Sequence, residues 1–301
     1  MASLYTQQSR NVFRTWLLMI VFFAFVAGIG WFVSYYYDST AILYVAIGIA
    51  LVMNFWAYWF SDKVALSQAR AYPADENQYR ELHRIVENLA ITAGLPKPRV
   101  YIIPDPAPNA FATGRDKNHA AIAVTEGLLQ MMDRSELEGV LAHELSHIGN
   151  RDILVSTAAI VLVGVISVLA NIFLRMSFGG GFGQGRDRDN NANVLILIAG
   201  VIAIILAPIA AQLMQLAISR RREYLADASG ALLTRYPEGL ESALRKLGSY
   251  EAPMQTASTT TAHLYISNPF GAHPAGKWVQ NLFSTHPPIE KRIEALEGIK
   301  V

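Results

Sequence analysis

Two histidines four residues apart, with a glutamate after the first, stand in His143-Glu144-Leu145-Ser146-His147. On an α-helix such positions share a face, so both imidazoles can bind one zinc ion. Glu144 lies a step round that face. There its carboxylate can take a proton from zinc-bound water while staying out of the coordination shell. The chemistry this spacing allows is hydrolysis by metal-activated water. At the chain's own His and Glu frequencies the pattern arises by chance in roughly one chain in a hundred of this length. Its setting therefore carries much of the weight.

A catalytic zinc needs a third protein ligand and a fourth position left open for water. The chain has no cysteine, which leaves histidine and carboxylate as donors and removes disulfide and thiol chemistry. The metzincin extension requires Gly at 150 and His at 153, where this chain has Asn150 and Ile153. The other common solution is a glutamate on a separate helix. Arg221-Arg222-Glu223-Tyr224-Leu225-Ala226-Asp227 supplies one, and Glu223 is read as the third ligand. Asp227, a turn further along, can accept the second ring N–H of a ligating histidine and fix its tautomer. Asn150 is read as a helix-end cap or an aid to orienting the site. His83, His119, His263 and His273 have no partner at metal spacing and are read as surface or loop residues.

The elements that must position these groups are legible in outline. Asp75 to Ala93 has apolar residues at helical spacing, with Gly94 and Pro96 ending it. Three strand-like runs follow at 99–103, 109–113 and 120–125, separated by Pro and Gly clusters, and predict a small antiparallel or mixed sheet. Ser135-Glu-Leu-Glu138 fits a capping box opening the helix that carries His143 and His147. Further helices are predicted from Arg221 to Leu233, Glu238 to Leu247 and Pro288 to Leu296.

Composition points to a membrane. The chain has 301 residues, 52% hydrophobic and 16% charged, against about 25% charged in soluble domains. Charge-free windows separate Arg14 from Asp38, Asp38 from Asp62, Asp152 from Arg175 and Asp189 from Arg220. Each exceeds the roughly 20 residues that cross a bilayer. The fold class expected is a mainly α membrane protein, with four transmembrane helices and a zincin-like α+β catalytic domain containing a small sheet. Residues 1–61 hold two spans, 62–152 the first part of the catalytic domain with the zinc helix, 153–219 a transmembrane hairpin, and 220–301 the second part with the third ligand. Arg10 and Arg14 precede the first span while Ser34 to Thr40 carries no basic residue, which places the N-terminus and the catalytic parts in the cytoplasm. A net charge of +1 gives no electrostatic reason to expect nucleic acid.

With these motifs in place, the chain resembles the HtpX-type membrane metallopeptidases, bacterial relatives of the CAAX prenyl proteases. The resemblance runs through Asn109-Ala-Phe-Ala-Thr-Gly114, the zinc motif leading into Ile148-Gly-Asn-Arg-Asp152, Arg222-Glu223-Tyr224 to Asp227, and Thr285-His286-Pro287-Pro288 with Arg292. It implies one zinc per chain held by His143, His147 and Glu223, Glu144 as base and Asp227 behind a ligand. It also implies that Asn109, Ala110, Phe111 and Ala112 line the cleft and pair with an extended peptide, and that His286 stabilises the oxyanion. The implied role is quality control in a bacterial plasma membrane, with misfolded or membrane polypeptides as substrates. Two other readings are weighed: prenyl-protein processing, which the small number of spans disfavours, and a metal-stabilised scaffold, in which Glu144 would have no task. The Ser/Thr-rich stretch Gln255 to Ala262 is a candidate cover over the site.

Overall fold

The structure is a computed structural model, and it describes residues 4–179, 220–258, 261–271 and 287–299. The chain opens with two long helices, α1 (Leu4–Tyr36) and α2 (Thr40–Gln68). A short strand β1 (Tyr72–Pro73) and helix α3 (Arg80–Thr92) follow, then β2 (Arg99–Ile103), β3 (Ala110–Gly114), β4 (Ala120–Thr125) and a one-turn-and-a-half helix α4 (Glu126–Met131). Helix α5 (Arg134–Gly149) carries the histidine motif and hands over to α6 (Asp152–Gly179). After it come α7 (Arg220–Thr234), α8 (Pro237–Ser249) and α9 (Ile289–Glu297). The fold is mainly helical with one small mixed sheet. The fourth apolar segment and the rest of the Gly-rich connection before it lie outside the described residues.

The sheet runs β1-β2-β4-β3, with β2 and β4 parallel and the two outer pairs antiparallel. Its register sets Val100 beside Ile122 and Ala112 beside Ile122 on the other side. Every residue of β3 and β4 is buried, so the strands read as continuous apolar runs and not as an alternating pattern. β3 lies at one edge of the sheet, which leaves its outer row of backbone groups to be paired by something other than a strand of this sheet.

Two compact units are distinguished along the chain. One comprises residues 1–15, 58–158 and 218–301. Its core joins Leu82, Ile85 and Val86 of α3, Ile102 and Ile122 of the sheet, Val140, Leu141 and Leu145 of α5, Leu244 of α8 and Leu296 of α9. The other comprises residues 16–57 and 159–217, of which those through Gly179 are described. Within it a side chain at Gly30 would collide with Ala46, so glycine lets α1 and α2 approach closely, the small-residue packing familiar from apolar helix pairs. Helices Ser9–Tyr36 and Thr40–Gln68 are long and apolar enough to cross a bilayer.

Two boundaries differ from the sequence reading for local reasons. Helix α3 starts at Arg80, because Asp75 Oδ1 accepts the N–H groups of Asn77 and Gln78 and holds the preceding residues in a turn. The cap of α5 is Asp133, not Ser135. Asp133 Oδ1 accepts Glu136 N–H at 2.9 Å, Glu136 Oε2 accepts Asp133 N–H at 2.8 Å, and Ser135 donates its hydroxyl to Asp133. The box is offset by two residues because an aspartate accepts more strongly than a serine hydroxyl.

Candidate active site

Helix α5 presents His143 and His147 one turn apart, with their Nε2 atoms 3.1 Å from each other. Glu223 on α7 faces both: its Oε2 lies 3.8 Å from His143 Nε2 and its Oε1 3.7 Å from His147 Nε2. Glycine makes this approach possible. A Cβ at Gly230 would stand 3.0 Å from the His143 backbone nitrogen, so a larger residue there would push α7 and its carboxylate off α5. Glu223 is thus brought to the histidines by helix packing across 76 residues of sequence from His147.

Each ring is anchored from behind. His143 Nδ1–H donates to Asp227 Oδ1 at 2.9 Å, and His147 Nδ1–H to Asp152 Oδ2 at 3.1 Å. Asp227 is clamped by Arg292, with Nε donating to Oδ2 at 2.8 Å and Nη2 to Oδ1 at 2.6 Å, while Nη1 donates to the Ile266 carbonyl at 3.0 Å. Arg292 is fully buried. Asp152 Oδ1 takes a hydrogen bond from Asn11 Nδ2 at 2.5 Å and has Arg222 Nε 3.8 Å away.

These anchors decide whether the three residues suit a metal. With both Nδ1 atoms carrying hydrogens, both Nε2 atoms present lone pairs, toward each other and toward a carboxylate. With both rings neutral, three acceptors 3.1 to 3.8 Å apart repel unless a cation, whether a metal ion or a proton on His147, sits among them. The separations match donors bound to one ion at roughly 2.0 to 2.2 Å, and two imidazoles with one carboxylate are a zinc donor set with a position to spare. Electrostatics favour positive charge at this spot. Burial opposes positive charge on His147, but Asp152, Glu223 and Glu144 outweigh it and push its pKa up to about 9. His143, wholly enclosed and next to Arg292, is pushed down to about 4.

Glu144 lies beside this cluster, with the Ala112 N–H lending its carboxylate some support but no well-formed hydrogen bond to either oxygen. Burial, aided by Glu223, raises its pKa to about 7 in spite of His147. A cavity of about 30 Å³ adjoins it, lined by Ala112, Glu144, His147, Glu223, His263 and Leu264 among others, large enough for a water molecule. A far larger groove of about 670 Å³ is lined by Leu145, Ser146, Ile148, Leu232 and neighbours and contains none of the metal-facing residues. Volume is a poor guide here; the buried carboxylate and the converging donors single out the small cavity as the candidate site.

The other residues named from sequence are distributed unevenly. Ala112 lines the cavity, but Asn109 and Ala110 are engaged by the chain itself: Ile266 N–H donates to Ala110 O, and Asn109 both accepts from Ser267 N–H and donates to Ser267 O. Phe111 packs edge-on against Tyr265 with ring centroids 5.2 Å apart. Asn150 caps α5, its N–H bonded to Ser146 O. His286 and His273 lie outside the described residues. His263 is not a surface residue: it is buried, its Nε2 is 3.1 Å from the Ser156 carbonyl, and it lines the cavity. His83 meets the Ala74 carbonyl and His119 pairs with Asp116 at the surface. Asn11, Asp152, Arg292 and His263 acquire places around the site that spacing did not reveal. For Asp152 a signal existed, a carboxylate just past a helix that ends in a candidate ligand.

Comparison with known proteins places this geometry in a family. Residues 76–300 match the family model described as Peptidase family M48. A Protease HtpX homolog of Caldanaerobacter subterraneus subsp. tengcongensis is 49% identical over 302 residues, covering 99% of both chains. A Protease HtpX homolog of Pyrococcus furiosus is 50% identical over 288 residues, covering 95% of each. Among solved structures, the S. mikatae Ste24p crystal structure matches 93% of this chain and 62% of its own, at 19% identity and a TM-score of 0.49.

Proposed function

The chain belongs to peptidase family M48, and on that premise we propose that it is a membrane-embedded, zinc-dependent endopeptidase with His143, His147 and Glu223 as ligands and Glu144 as general base. The observation that carries the reading is the pairing of a three-donor cation site with a buried glutamate that makes no well-formed hydrogen bond. Zinc, when bound there, supplies Lewis acidity for the scissile carbonyl and the attacking water. Glu144 accepts the proton of that water and returns it to the leaving amine. Asp227 and Asp152 hold the imidazole rings so that Nε2 is the donor atom in each.

The substrate would lie along the outer edge of β3, where main-chain hydrogen bonds grip a strand whatever its side chains. Part of that edge is occupied by Ile266 and Ser267, and a 30 Å³ cavity admits no peptide. The segment bearing His263 and Leu264 therefore shifts when substrate enters. Two helices whose most apolar windows are only 28% and 17% buried support a bilayer as their solvent, because a soluble core helix would be mostly enclosed. We place the chain in a bacterial plasma membrane with its catalytic unit cytoplasmic, acting on misfolded or membrane polypeptides in quality control.

The test is cleavage of an unfolded protein by the detergent-purified chain beside Glu144→Gln, with zinc measured in both. Equal zinc and a fall in cleavage of about 10²- to 10⁴-fold is the expected result. Undiminished cleavage by the variant would remove Glu144 from the chemistry and the reading with it.

A further inference from the structure

We infer that Asn11, near the start of the N-terminal helix, is a positioning residue of the metal centre, acting on His147 through Asp152. The inference rests on the zinc peptidase reading above. Asn11 immediately precedes the long apolar stretch of α1, yet it is 1% exposed and belongs to the same compact unit as the histidines. Burying an amide without partners is costly. Here its Nδ2 donates twice, to the Asn150 carbonyl at 2.9 Å and to Asp152 Oδ1 at 2.5 Å. Both partners are acceptors, so the orientation is determined: turned over, the amide would set its oxygen against a carbonyl and a carboxylate.

What Asn11 bridges gives it its role. Asn150 is the C-cap of the ligand helix and Asp152 the first residue of α6. Between them Arg151 adopts a φ of 57°, a left-handed conformation that a non-glycine residue holds only when its surroundings impose it. Asn11 ties both ends of this three-residue link. Asp152 then divides its oxygens, Oδ1 to Asn11 and Oδ2 to the Nδ1–H of His147. Arg222 Nε, 3.8 Å from Oδ1, offsets charge but stands beyond hydrogen-bond range, so the fixed direction of the carboxylate comes from Asn11. Without that donor Asp152 is free to rotate toward Arg222, and His147 loses the acceptor that sets its tautomer and ring plane. The N-terminal helix is thus a structural component of the ligand set as well as a membrane segment.

The experiment compares zinc affinity, by chelator competition on the full chain in detergent, for the parent, Asn11→Ala, Asp152→Asn and the double variant. Asn11→Ala is expected to weaken zinc binding about 10- to 100-fold and to shrink the rise in Tm that zinc produces. The double variant should bind no more weakly than Asp152→Asn alone, because both changes act on one contact. Asn54 on α2 is also buried, its Nδ2 donating to the Ala50 carbonyl, and Asn54→Ala should leave affinity at the parental level. If Asn11→Ala does not accumulate, Asn11→Ser, which keeps a shorter donor, should show a smaller weakening. Parental affinity in either Asn11 variant, or strictly additive losses in the double variant, overturns the tether and leaves the peptidase reading standing. A parent chain that holds no zinc overturns both.

Discussion

His143 and His147 leave the same helix one turn apart, and each gives its Nδ1–H to an aspartate, but the groups behind the two aspartates differ in kind. Asp227 is gripped at both oxygens by Arg292, and all three partners are enclosed. Burial alone would raise the Asp227 pKa; Arg292 and His143 outweigh it and hold it below the usual carboxylate range. Asp152 is fixed by a neutral amide, with its nearest cation, Arg222, 3.8 Å away. The first arm is a compensated ion pair whose loss would strand a buried charge. The second is offset only at 3.8 Å by Arg222 and has Glu223 and Glu144 beside it, which together favour positive charge at His147. On the zinc reading proposed above, one arm would serve mainly the fold and the other mainly the metal, although both look alike from the histidines.

The largest effect that could break this comparison is expected from Arg292→Met, which isolates the Asp227 carboxylate in the core. A loss of about 3 to 5 kcal/mol of unfolding free energy is expected, measured by denaturant titration in detergent. A loss no greater than that of a surface substitution would mean that the arm is not structural. Next come the two aspartates compared directly. Asp227→Asn and Asp152→Asn should each weaken zinc about 10- to 100-fold, but Asp227→Asn should also lower Tm in chelator-treated protein, since Arg292 loses its counter-charge. Equal Tm values for the two would erase the distinction.

The smallest effect uses a pair remote from the site as a reference. Glu136 is buried and receives hydrogen bonds from Lys246 Nζ at 2.6 Å and Ser242 Oγ at 2.6 Å. Burial raises its pKa, but Lys246, Ser242 and the Asp133 N–H prevail and hold it below 4.5. A depressed folded pKa means stability that is present above the unfolded value and is lost as pH falls through the folded one. Parental Tm should therefore decline below about pH 4.5, and Glu136→Gln should flatten part of that decline while leaving zinc affinity unchanged. An unaltered acid slope would show that Glu136 is not a source of it.

Much of the site could be read locally. His143, Glu144 and His147 fall within one turn of one helix, so their mutual geometry follows from helical rise alone, and the donor type left by the absence of cysteine pointed to a carboxylate. The strands at 99–103 and 120–125 were legible from short apolar runs bounded by turn residues, and β3 came one residue late because the Asn109 side chain binds its neighbour's N–H. His263 misled because nothing in its spacing tells a loop histidine from one folded back over a cavity. Asn11 was hidden by its setting, since hydropathy reads a helix as one object while its first turns belong to a different unit from the rest.

What the sequence determined by itself is the local pattern: a helix with two histidines and a glutamate on one side, apolar helices before it, and a second helix with two carboxylates a turn apart. These rest on periodicities of three to seven residues, which the backbone imposes without reference to distant partners. Only the tertiary structure decided how the pieces converge. Gly230 lets α7 come close enough for Glu223 to face both rings, Arg292 returns from the last helix to hold Asp227, and Asn11 reaches from the first helix to Asp152. Such contacts span 65 to 141 residues, and no local rule specifies them, because they depend on which surfaces the core brings together.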